Sequence, residues 1–114
     1  MSSPAFLQIR REGGIAILTM NQPATRNALT GNTAVQEFVG ALDAIQADAA
    51  VRCVILTGAG PVFSSGGNVK DMARFFAAEG APAPDAIREE YRRGIQRLLR
   101  AFAALDVPVI AAVN

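Results

Sequence analysis

The stretch Val54–Met72 reads VILTGAGPVFSSGGNVKDM: a short apolar run, a glycine-rich loop and the polar start of a helix. Its chemistry lies in Gly66 and Gly67, which bring bare backbone to a helix beginning near Asn68. The first N–H groups of a helix have no intrahelical partners, and the helix dipole favours negative charge beside them. Such a turn can hold an oxyanion, a carboxylate or a phosphate. Taken alone, two adjacent glycines also fit a tight turn that binds nothing. Asn68 offers an amide oxygen that can cap the helix, but no carboxylate for proton transfer.

Other nucleophilic and acid–base readings are thinner. Ser64 and Ser65 would need a base to act as nucleophiles, and the chain contains no histidine. Gly58-Ala59-Gly60 follows a strand as a dinucleotide loop would, but Pro61 comes next and the third glycine is out of register. Asp71, Glu79, Asp85, Glu89 and Glu90 read as helix or loop surface groups.

Three segments in order resemble the enoyl-CoA hydratase/isomerase (crotonase) family. Phe63, Ser64, Gly66, Val69 and Lys70 are in register with its first signature, with Gly67 and Asn68 standing for the common Ala and Asp. Asn21-Gln22-Pro23 and Arg26-Asn27-Ala28-Leu29 are similar to the segment that shapes part of its CoA site. Val107–Asn114, VPVIAAVN, is similar to the strand leading into its second signature.

The resemblance implies a backbone oxyanion hole for an acyl-CoA thioester, with the Gly67 N–H as first donor. It implies CoA or acyl contacts from Arg26, Ala28, Ser65, Gly66, Gly67, Asn68, Val69 and Lys70, and a structural role for Asn27. Hydration of a 2-enoyl-CoA is the expected reaction, with isomerisation, CoA hydrolysis or an inert CoA-binding fragment as alternatives. No metal and no separate cofactor are expected, since coenzyme A is part of the substrate. The resemblance also implies a homo-oligomer, trimer or hexamer. The family's two catalytic glutamates and second oxyanion donor are expected beyond Asn114, so residues 1–114 alone should lack hydratase activity.

The elements that must position these residues follow from composition and pattern. With 114 residues, 51% of them hydrophobic, the chain can bury a core. A net charge of +1 with interspersed signs gives no case for nucleic acid or an anionic membrane. The lone Cys53 excludes a disulfide framework and reads as a small buried residue. No apolar run approaches a membrane span, and the expected location is cytoplasmic.

Phe6–Arg10 and Ile15–Met20 around Gly13-Gly14 predict a hairpin. A helix is predicted from Thr30, as N-cap, to Ala47, burying Val35, Phe38, Val39 and Leu42. A strand at Arg52–Leu56 follows, then a short helix over Val69–Ala78. One longer helix is predicted from a cap at Asp85 to about Ala104, its arginines forming a solvated face. Helices between strands argue for parallel packing, so the fold class is α/β: the N-terminal portion of a crotonase-like ββα superhelix. The apolar strand Val109–Val113 would lack cover in residues 1–114, which predicts association or poor solubility.

Overall fold

A computed structural model describes residues 4–77 and 79–114. Strand β1 (Leu7–Glu12) and strand β2 (Ile15–Met20) form the expected hairpin in antiparallel register, Leu7 opposite Met20 and Glu12 opposite Ile15. Gly13 makes the turn at φ +57°, a conformation open to glycine and costly to most other residues. After helix α1 (Ala34–Ala47) comes β3 (Cys53–Gly58), parallel to β2 with Ala16 opposite Val54. Strand β4 (Val109–Ala111) joins β3 in parallel, giving a four-stranded sheet in the order β1-β2-β3-β4.

Period-two alternation divides the sheet. Leu7, Ala16, Leu18, Met20 and Val54 point to one face and are buried. That core also takes Ala34, Phe38, Ala41, Leu42 and Ile45 from α1. Phe38 stands between Phe6 and Phe102, with ring centroids 6.2 and 5.7 Å away. Each large side chain buried in this way contributes about 1.5–3 kcal/mol. On the opposite face Ile15, Ile17 and Ile55 remain half-buried and Ile110 is 54% exposed. The edge strand β4 is open as expected, with Val113 beyond it 72% exposed.

Several expectations are corrected. Helix α1 begins at Ala34, not Thr30; Asn32 Oδ1 accepts the Ala34 N–H at 3.0 Å. Thr30 lies before that end and accepts a bond from another segment. Phe38 and Leu42 are buried, whereas Val35 and Val39 are only half-buried; small Ala34 and Ala41 let α1 approach the sheet in their place. Cys53 is half-buried, because it opens β3 on the less covered face.

The helix predicted from Asp85 to Ala104 is two helices. Helix α3 (Pro84–Arg93) starts two residues earlier, with Ala83 rather than Asp85 at the cap position and Pro84 supplying a helix-compatible φ. It stops at Gly94, whose φ −104° and ψ −110° are not helical, and α4 (Ile95–Ala103) resumes there. The break aims α4 at α1, so that Leu98 is buried and Phe102 reaches Phe38. Helix α2 (Val69–Met72) continues as a 3-10 turn over Ala73–Phe76, shorter than predicted; residue 78 lies outside the described residues.

Candidate functional site

The site is assembled from two loops that a buried asparagine ties together. Asn27 is fully buried. Its Oδ1 accepts the Gln22 N–H at 2.8 Å, and its Nδ2 donates to the carbonyls of Ala59, Val62 and Phe63 at 3.0, 2.9 and 3.1 Å. The glycine-rich loop after β3 is therefore hung on the loop after β2. Arg26 and Asn27 both lie in the left-handed region, at φ 55° and 54°. That turn lets the Arg26 and Asn27 carbonyls accept the Ser65 N–H at 2.9 Å and the Ser64 hydroxyl at 2.7 Å.

Most of the helix entry is then satisfied, but the Gly67 and Val69 N–H groups have no acceptor among the described residues. Gly66, at φ +78°, donates to Ser64 Oγ at 3.0 Å, and its carbonyl accepts the Leu29 N–H at 2.8 Å. The Asn68 N–H donates to Thr30 Oγ1 at 2.8 Å, and Asn68 Oδ1 caps the Lys70 N–H at 3.0 Å, as expected of it. Between Gly66 and Asn68, the Gly67 N–H donates to no group among the described residues.

Two clefts meet at Gly67 and Asn68. One, of about 540 Å³, is lined by Ala24, Thr25, Arg26, Ala28, Ser65, Gly67, Asn68, Val69 and Lys70. It gathers seven of the eight residues expected from sequence; Gly66 acts from behind through its hydrogen bonds. The other, of about 630 Å³, carries Leu29, Val35, Met72, Phe75, Tyr91 and Ile95 among its apolar walls. Charged groups enter its lining as well: Asp71, the Arg74–Glu90 ion pair, Arg93 and Arg97.

Sequence reasoning missed Thr30 and Asp71 here. Thr30 was assigned to the α1 terminus, yet it faces Asn68. Asp71 was read as plain surface, yet its carboxylate lies against Gly31, where a Cβ would approach Oδ2 to 2.8 Å. Its spacing three residues after Asn68, on the first turn of α2, was the available signal. The arginine-rich face of α3 is largely solvated as expected, with Glu89 bridging Arg92 and Arg93.

The carboxyls held below their ordinary values are elsewhere. Burial raises Glu37, but the Thr33 hydroxyl and the Phe6 and Leu7 N–H groups outweigh it, so its pKa is lowered. Asp48 is lowered by the Ala50 N–H and by Arg11. Neither lines either of these two clefts. Among the described residues no cluster of His, Cys, Asp and Glu forms a metal site, and no helix is long and apolar enough to cross a membrane.

Comparison with known proteins gives a consistent result. Residues 10–114 match the enoyl-CoA hydratase/isomerase family model. The chain is 38% identical over 107 residues to an enoyl-CoA hydratase of Mycobacterium tuberculosis, covering 93% of this chain and 38% of that protein. It is 35% identical over 109 residues to the 1,2-epoxyphenylacetyl-CoA isomerase of Escherichia coli, covering 96% of this chain and 40% of that one. The solved structure of an enoyl-CoA hydratase subunit from Geobacillus kaustophilus superposes with a TM-score of 0.76 at 30% identity, covering 99% of this chain and 40% of that chain. The chain thus spans about two fifths of the length of these relatives.

Proposed function

The chain belongs to the enoyl-CoA hydratase/isomerase family and has the crotonase-type fold; on that premise we propose that its protein processes acyl-CoA thioesters, with the Gly67 N–H donating to the thioester oxygen. The observation that carries this reading is the free Gly67 N–H between satisfied neighbours, at the junction of two clefts. A thioester oxygen gains negative charge as an enolate forms. A donor already fixed in place stabilises that charge without reorganising, and one such donor is worth about 3 kcal/mol.

On either side of this point the two clefts divide the substrate. Arg26 and Lys70, on the wall of the first, supply positive charge suited to the phosphates of coenzyme A. The apolar walls of the second suit the acyl chain. Acyl-CoA is thus the ligand, and a cytoplasmic homo-oligomer, trimer or hexamer, is the setting we propose. Hydration of a 2-enoyl-CoA is the leading reaction, with CoA hydrolysis as an alternative. Asp71 favours a second reading, isomerisation, because one carboxylate beside the acyl cleft could carry a proton between two carbons. The 114 residues alone are proposed to lack hydratase turnover.

The test is turnover of crotonyl-CoA by the full-length protein beside Gly67→Pro, which removes the donor. Activity should be lost while circular dichroism shows a folded protein. A folded, fully active proline variant would place the donor elsewhere.

A further inference from the structure

We infer that Thr30 is the positioning residue of the Gly67 donor, an assignment that rests on the acyl-CoA reading of this site. The Gly67 N–H belongs to the peptide whose carbonyl is that of Gly66. That carbonyl accepts the Leu29 N–H at 2.8 Å. A trans peptide is planar, so holding its oxygen on Leu29 turns its N–H to the opposite side. The next peptide, between Gly67 and Asn68, is held by the Asn68 N–H on Thr30 Oγ1 at 2.8 Å. Two consecutive residues, Leu29 and Thr30, therefore pin the two peptide planes that meet at Gly67.

The second pin matters because Gly67 has no side chain to restrict its own torsions. A catalytic hydrogen bond that drifts by an ångström loses much of its effect on the transition state. The Leu29 contact is backbone to backbone and survives most substitutions. Only the Thr30 contact depends on a side chain. Among the described residues no other group donates to that hydroxyl oxygen: the first helical N–H of α1, at Ala34, is served by Asn32. Thr30 is half-buried and shares the second cleft with Gly67 and Asn68.

The experiment compares Thr30→Val, which keeps the shape but removes the acceptor, with Thr30→Ser, which keeps the acceptor. Both are made in the full-length protein and assayed with crotonyl-CoA. Thr30→Val should lower kcat by about 10- to 100-fold with KM little changed, and Thr30→Ser should restore kcat. A β-ketoacyl-CoA adds a spectroscopic readout, since the enolate band of the bound ligand should weaken in Thr30→Val and return in Thr30→Ser. Should Thr30→Val fail to fold, Thr30→Ala removes the same acceptor and should show the same loss. An active wild type with an unaffected Thr30→Val overturns this assignment alone, as does a Thr30→Ser variant as impaired as Thr30→Val. A folded wild type that neither binds nor turns over acyl-CoA overturns the acyl-CoA reading and this assignment with it.

Discussion

The side-chain amide of Asn27 donates to the Val62 carbonyl at 2.9 Å, joining loops 35 residues apart. Its two N–H groups serve three carbonyls, so one proton is shared, while its oxygen accepts the Gln22 N–H. With Asn27 fully buried, water cannot readily replace these bonds. Asn27→Ala should therefore cost about 2–4 kcal/mol, more than one ordinary hydrogen bond, because several buried groups lose partners together. Urea unfolding of the wild type and variant measures it. A loss below about 0.5 kcal/mol would show that the loops hold each other by other means.

Gly58 and Gly67 should respond oppositely to alanine. A Cβ on Gly58 would lie 2.4 Å from the Phe63 carbonyl oxygen and 2.9 Å from Asn27 Nδ2, both held in the tie just described. Gly58→Ala should cost about 1–3 kcal/mol or more through overpacking. A Cβ on Gly67 meets only the terminal methyl of Met72, at 2.6 Å, which can swing away. Gly67→Ala should leave thermal stability within about 0.5 kcal/mol and preserve turnover, since the backbone donor remains. Equal losses in both variants would contradict the difference in their surroundings.

Glu37 should give stability a dependence on acid pH. Its carboxylate binds the N–H groups of Phe6 and Leu7 at 3.0 and 3.1 Å and the Thr33 hydroxyl, tying the start of the hairpin to α1. Its pKa in the folded state lies below the ordinary 4.5. The unfolded chain therefore binds the proton more readily, and stability falls as the medium becomes acidic. The contribution is fully present above about pH 4.5 and is lost as pH falls through the lower native value. Chemical denaturation from pH 7 down to pH 3 should show a shallower decline for Glu37→Gln than for the wild type. Parallel profiles would assign the acid sensitivity to other carboxyls.

Arg26 separates backbone strain from ligand charge. It holds φ 55° without being glycine, a conformation that costs on the order of 1 kcal/mol for residues with a Cβ. Its backbone bonds to Pro23 and Ser65 do not need the side chain. Arg26→Gly should keep or slightly raise the melting temperature and weaken acyl-CoA binding, with a smaller dependence of affinity on salt. Calorimetric titration of the full-length protein gives both quantities. Unchanged affinity would remove Arg26 from the ligand wall.

The sequence by itself determined the elements whose signals are local. Alternation in Ile15–Met20 and the Gly13-Gly14 turn specified the hairpin, because strand period and turn torsions are properties of neighbouring residues. The same holds for Asn68, whose side chain caps α2 by accepting the N–H of Lys70, two residues on. The resemblance carried by Arg26–Leu29 and Phe63–Lys70 pointed to the family and to seven residues that the fold brings into one cleft.

What the tertiary structure decided depends on partners distant in the chain. Thr30 looked like a helix cap because threonine before an apolar periodic segment has that local meaning; its actual partner, Asn68, is 38 residues away. Gly94 fell inside the single helix predicted from Asp85 to about Ala104, and only the packing of Leu98 and Phe102 toward α1 explains why the helix breaks there. Asp71 became a cleft residue because α2 folds back over Gly31. Periodicity reports which face of an element is apolar, but the partner of a single polar group is chosen by the three-dimensional path of the chain.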